Sequence, residues 1–253
     1  MIFENKVLEK AKPNDLFTFE DLCKYNKIDV VKKRNPTEDN NLIQNAKEIL
    51  IHSSDSLDLL LFIQSAIYQN SNDLKYTLYP PSTTSILDCD YMLKKLIDCN
   101  ILQDVFFSQY TKSYRIVLHS PLEHNIKEIL SIGLCCLLEE AGVSEIYVDG
   151  CLKCTDGSLL NTDLICRVND NIMLFKFEIA AGLTYSVPFH EAQMHRFIER
   201  VTQFSDINSE HVHTYFIISD HTKKILPFSK QVIGLSDLSE LINSLNINIE
   251  YRS

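Results

Sequence analysis

Apolar and polar residues alternate through two successive stretches in the second half of the chain, and the other elements can be placed around them. From Thr162 to Val168, the residues Leu164, Cys166 and Val168 fall on one face and Asp163, Ile165 and Arg167 on the other, which is the two-residue period of a strand. Asn169, Asp170 and Asn171 tolerate left-handed backbone and close their own turns, so the chain is expected to double back here as a hairpin. On the return strand, Ile172 to Ala180, the residues Lys176, Glu178 and Ala180 share one face while Phe175, Phe177 and Ile179 share the other. With Asp170 and Asn171 as the loop, Asn169 faces Ile172 and Asp163 faces Glu178. Opposed residues have Cβ atoms about 5 Å apart, close enough for both carboxylates to hold one hard cation.

Elsewhere the spacing is helical. Thr18 followed by Asp21 reads as a helix N-terminus, with Phe19, Leu22 and Cys23 as its apolar face. Helices are predicted over Asn41 to Ile51 and Leu57 to Tyr68, the second apolar nearly all round and therefore buried. Tyr79-Pro80-Pro81 and the Ser/Thr run after it break the pattern. Met92, Leu93, Leu96 and Ile97 then predict a helix over Asp90 to Asn100, followed by strands at Leu102 to Phe107 and Ser113 to Leu118. After Pro121 come an amphipathic helix from Leu122 to Ala141 that stops at Gly142, a strand at Glu145 to Val148 and the hairpin above. A helix at His190 to Phe204, a strand at Thr214 to Ser219 and a helix at Leu235 to Leu245 complete the order. All six glycines lie beyond residue 130, so the first half is expected to be mainly helical and the second to contain the sheet. The expected division is therefore a helical region, 1–120, and an α/β domain, 121–253.

The order helix, three strands, helix, strand, with Asp163 and Glu178 on the hairpin, resembles the PD-(D/E)xK superfamily of restriction-endonuclease-like nucleases. The resemblance implies a mixed sheet flanked by helices and a site that cuts phosphodiester bonds of nucleic acid with Mg²⁺ or Mn²⁺. It makes Asp163 and Glu178 the metal ligands. The family's lysine falls at Ala180, and Lys176, on the other side of Glu178, is the residue able to take its catalytic role. In several of these families a glutamate of the first helix joins the metal, which points to Glu139 or Glu140, and the helix after the second acid supplies a glutamine, matched by Gln193. The helix and hairpin from Asp90 to Leu118 resemble a winged helix. This implies either phosphate contact through Lys94, Lys95 and Lys112 or the pairing of subunits and protein partners. For the whole chain two readings stand: an active metal-dependent nuclease, or a catalytically inactive nuclease-fold scaffold or binding protein in a nucleic-acid-processing or defence complex.

Composition narrows this picture. The chain has 253 residues, of which 45% are hydrophobic, enough for a sizeable core. No apolar run reaches the roughly 18 residues of a membrane span, and the first ten residues lack a signal pattern, so no membrane is expected and the cytoplasm is the expected location. The net charge is −10, with 14 basic and 16 acidic residues in 1–120 against 10 and 18 in 121–253. Any nucleic-acid contact must therefore come from a local patch. Lys32, Lys33 and Arg34 form one basic cluster, read either as a solvated loop before Pro36 or as a phosphate contact. The eight cysteines are scattered as reduced thiols, and Cys151-x-x-Cys154 has no second pair to complete a zinc site. His190 and His195 stand five apart, about 140° around a helix, so they cannot grip one zinc. His211 and His213 alternate on a strand edge and could bind a metal on one face, although an exposed pair is the commoner reading. Walker A, G-x-G-x-x-G and G-x-S-x-G motifs are absent, which argues against P-loop and serine-hydrolase chemistry.

Overall fold

A computed structural model describes residues 18–54, 57–68, 75–80, 85–153, 157, 159–178, 198–199, 202–203, 207, 209–218 and 232–246. The first described element is helix α1 (Phe19–Tyr25), closed by a capping box in which Asp21 N–H donates to Thr18 Oγ1 and Thr18 N–H donates back to Asp21. Strand β1 (Asp29–Arg34) follows, then α2 (Asn40–Ile51), α3 (Leu57–Tyr68) and β2 (Lys75–Leu78). Next come α4 (Ile86–Asp98), β3 (Leu102–Ser108), β4 (Ser113–Leu118) and α5 (Ile126–Glu140). The remaining described elements are β5 (Glu145–Lys153), β6 (Leu159–Val168), β7 (Asn171–Phe177), β8 (Val212–Ile218), β9 (Val232–Gly234), a 3-10 turn (Leu235–Asp237) and α6 (Leu238–Asn246).

The main sheet has six strands in the order β1-β5-β6-β7-β8-β9. Its first four strands pair antiparallel and the β7-β8-β9 edge pairs parallel, so the sheet is mixed as the sequence predicts. One face carries Leu164, Cys166, Phe175, Phe177 and Ile217 and packs on α5 and the helices beyond it. The opposite face carries Ile165, Ile172, Leu174 and Phe216 and is covered by Phe19, Leu22 and Cys23 of α1. Helices thus flank both sides, and each side removes apolar surface from water at roughly 25 cal/mol per Å².

The expected division at residue 120 does not describe the packing. Strand β1, from the first half, is the edge strand of the second half's sheet, with Asp29 opposite Lys153 and Arg34 opposite Val148. The halves also share one apolar core, in which α2 lies against α5 so closely that a Cβ on Gly133 would stand 2.5 Å from the Ala46 carbonyl oxygen. Strand β2 is a further departure: it pairs with β4 and turns the expected hairpin into a three-stranded sheet, β2-β4-β3. Helix α4 starts earlier than its apolar spacing implied, because Ser85 caps it through a bond from Asp88 N–H.

Candidate active site

The site is built where two strands part. Strands β6 and β7 pair from Val168↔Asn171 to Leu164↔Phe175, and the ladder ends there. Beyond that point β6 continues beside β5, with Thr162 opposite Gly150, while β7 continues beside β8 as far as Phe177↔Ile217. Side chains bridge the opening. Thr162 Oγ1 donates to the Phe175 carbonyl at 2.7 Å, and Asp163 Oδ2 accepts from Phe177 N–H at 2.7 Å. A carboxylate that takes a neighbouring strand's backbone N–H lies near the plane of the sheet, in the mouth of the fork. From there it reaches Lys176 on β7 through Oδ1 at 2.9 Å, and Lys127 in the first turn of α5 through Oδ2 at 3.4 Å.

This geometry corrects the expected register. The loop is Asn169-Asp170 rather than Asp170-Asn171, with Asn169 at φ 56°, so Asp163 comes opposite Lys176 and not Glu178. The change is two residues along β7 and leaves the side-chain alternation intact. Glu178 follows immediately after β7, and its N–H donates to the Ile217 carbonyl at 2.8 Å. Ala180 lies outside the described residues.

Asp163 and Lys176 keep only 15% and 14% of their side chains exposed. Burial pushes the Lys176 ammonium below its ordinary 10.5; Asp163 pulls it back up, and Lys127 adds to the lowering. Such a pair is a weak source of net stability, because desolvation consumes much of the Coulomb gain. Among the described residues no group of three or more His, Cys, Asp or Glu side chains is arranged to hold a metal ion. Mg²⁺ itself uses one or two carboxylates and completes its shell with water and phosphate oxygens, and Asp163 is the carboxylate in the mouth of the fork. Among the described residues the cationic partners of Asp163 are the Lys176 and Lys127 ammonium groups.

Beside the fork lies a cleft of about 200 Å³ lined by Asp163, Lys127, Glu128, Asp149 and Arg34, among others. Arg34 reaches it from β1 and donates to Glu128 at 3.1 Å and to Asp149 at 2.8 Å. Asp149 has φ 53°, a left-handed conformation that aspartate tolerates better than most residues. Sequence reasoning missed Lys127 and Asp149. For Arg34 the signal was present in the basic cluster, but only the antiparallel pairing of β1 with β5 brings it to the cleft.

The other expected site residues fall elsewhere. Glu139 and Glu140 stand at the far end of α5, about 18 Å along the axis from Lys127, so the helix offers its first turn to the site instead of its last. Glu140 pairs with Lys47 at 2.5 Å, and Glu139 accepts from Cys135. Gln193 lies outside the described residues. In the winged-helix-like patch, Lys95 donates to Asn45 Oδ1 at 3.0 Å and sits against Tyr91, while Lys94 and Lys112 are exposed. Asp88 and Asp90 are exposed on the same helix as Lys94, so the charge on that helix is mixed. Among the described residues no helix is long and apolar enough to cross a membrane.

No family model matches the sequence, and no curated protein matches it. Solved structures do. Protein VC1899 from Vibrio cholerae is similar with a TM-score of 0.55 at 10% identity, over 94% of this chain and 62% of that one. Can2 from Sulfobacillus thermosulfidooxidans, in complex with cyclic tetra-adenylate, is similar with a TM-score of 0.54 at 10% identity, over 92% of this chain and 61% of that one. The chain therefore spans about six-tenths of the length of each, and at this identity the likeness is one of fold.

Proposed function

We propose that the fork between β6 and β7 is a phosphodiester-cleaving site and that the chain acts as a metal-dependent nuclease. The observation that carries this reading is the Asp163–Lys176 pair, largely buried and just beyond the point where the ladder opens. Asp163 and Glu178 would hold Mg²⁺ or Mn²⁺, which supplies charge neutralisation and an activated water. In hydrolysis, water oxygen bonds to phosphorus as the bond to the leaving sugar oxygen breaks, and the water's proton is lost while the leaving oxygen gains one. Lys176 would stabilise the negative charge that grows on the phosphate oxygens. The ligand in the Can2 complex, cyclic tetra-adenylate, is itself joined by phosphodiesters, which supports a phosphodiester as the class of ligand.

A second reading is favoured by one observation. Both oxygens of Asp163 are already engaged by N–H donors, as in a protein that binds phosphodiesters, or acts as a scaffold, without cutting. Incubating the chain with labelled single- and double-stranded DNA and RNA, with Mn²⁺ or with EDTA, separates the two. The nuclease reading expects Mn²⁺-dependent cleavage that falls on the order of 10²- to 10³-fold in Lys176→Ala. An intact parent that binds and never cuts favours the second reading.

A further inference from the structure

The cleft beside Asp163 gathers charge from four separate elements. Arg34 comes from β1, Lys127 and Glu128 from α5, Asp149 from β5 and Asp163 from β6. The positive end of the α5 macrodipole opens on the same space, since Asn125 caps that helix and also lines the cleft. At about 200 Å³ the space is smaller than the roughly 300–1,000 Å³ of sites for drug-sized molecules, and it suits a tetrahedral group with its waters. The Arg34 side chain is 53% exposed and its guanidinium is held by two carboxylates, of which the Asp149 side chain is 52% exposed. Exposed ion pairs contribute only about 0–1 kcal/mol, so an incoming anion can replace one at little cost. An arginine fork matches phosphate oxygens two at a time.

We propose that Arg34 and Lys127 hold a backbone phosphate of the nucleic acid in this cleft, beside the one at Asp163, and that this phosphate displaces Asp149 from Arg34. The inference rests on the nuclease reading of the fork and gives it a second contact with the strand. Arg34 is a binding and positioning residue here, and the bond broken is the one at Asp163. In this arrangement β1 is part of the substrate-binding wall, which gives the first-half edge strand a role in the second half's chemistry.

The test reads binding apart from cleavage. Fluorescein-labelled single- and double-stranded DNA and RNA are titrated in EDTA by anisotropy across a salt series, with cleavage by the same proteins measured in Mn²⁺. Arg34→Ala is expected to weaken binding about tenfold and to reduce the magnitude of the log–log salt slope by about 0.7–0.9, the share of one phosphate. In cleavage it should raise KM more than it lowers kcat. Arg34→Lys, which retains the charge and loses the fork, should keep the slope and recover part of the affinity. Asp149→Asn, which suits a left-handed φ, should bind more tightly than the parent because a competing anion is gone. A merely structural role for the Arg34–Asp149 pair predicts no such gain. Parent cleavage together with unchanged Arg34→Ala binding and slope overturns this inference and leaves the reading of Asp163 standing. Unchanged or weaker binding by Asp149→Asn overturns the displacement. A parent that binds yet never cuts removes the nuclease reading, and the salt slopes still decide for or against Arg34.

Discussion

Removing the Asp163 carboxylate perturbs three contacts at once, and the structure sets the size of the effect. In Asp163→Ala the Phe177 N–H loses an acceptor at 2.7 Å, and Lys176, 14% exposed, loses its partner at 2.9 Å. Lys127 also loses a partner, yet at 31% exposure it can turn to water. An unsatisfied N–H costs about 1–3 kcal/mol, and breaking a buried ion pair about 3–5 kcal/mol, much of it from the charge left behind. Lys176 can escape part of that cost by losing its proton, which its burial already favours. The expected loss is therefore about 3 kcal/mol, or a fall in Tm of about 6–12 °C for a chain of this size. The double variant Asp163→Ala with Lys176→Met should recover at least about 1 kcal/mol of it, because the stranded charge is gone. Urea denaturation of the four proteins in the cycle gives the coupling energy. A coupling below about 0.5 kcal/mol would refute the account of a desolvated, mutually dependent pair.

Three further outcomes follow from particular contacts. Lys176 binds its proton less tightly in the folded protein than in the unfolded chain, where its pKa is the ordinary 10.5, so between the depressed value and 10.5 the unfolded state carries more protons. Stability relative to Lys176→Met should then shift in favour of the parent as pH rises from about 7 towards about 10, read from urea midpoints; a shift the other way would contradict the burial of that charge. Gly133→Ala would set a Cβ 2.5 Å from a backbone oxygen of α2, and the overpacking cost of about 1–3 kcal/mol should outweigh the roughly 1 kcal/mol of helix propensity gained, a net loss that thermal melts would show. Ser85→Ala should cost about 1 kcal/mol by removing the N-cap of α4, again by denaturation, and no change would mean that the helix does not start there.

Much of the fork could be read from residue order alone. The alternation of Leu164, Cys166 and Val168 fixed which residues face the α5 side, and the return strand's own alternation set Lys176 apart from Phe175 and Phe177. The register escaped because Asn169, Asp170 and Asn171 are all able to form the loop, and no local rule chooses between the two pairs. Strand β1 escaped for a different reason. It is an edge strand in which only Val30 and Lys33 are partly covered, and Lys33 is covered as a stem, its ammonium lying over the Phe19 and Tyr147 rings. A run such as Lys32-Lys33-Arg34 then reads as solvated. Lys127 was invisible because nothing along the chain shows which end of α5 abuts the opening between β6 and β7. That depends on how the helix crosses the sheet, a non-local packing result.

The central claim is that Asp163 lies at the centre of a phosphodiester-cleaving site. The most direct measurement compares single-turnover cleavage by the parent and by Asp163→Asn, which keeps the side-chain shape and an oxygen for the Phe177 N–H while removing the charge. With Mn²⁺ and whichever labelled strand the parent cuts fastest, the account predicts a rate at least about 10²-fold lower for Asp163→Asn with the fold intact. Equal cleavage by both proteins would place the chemistry elsewhere and contradict the account.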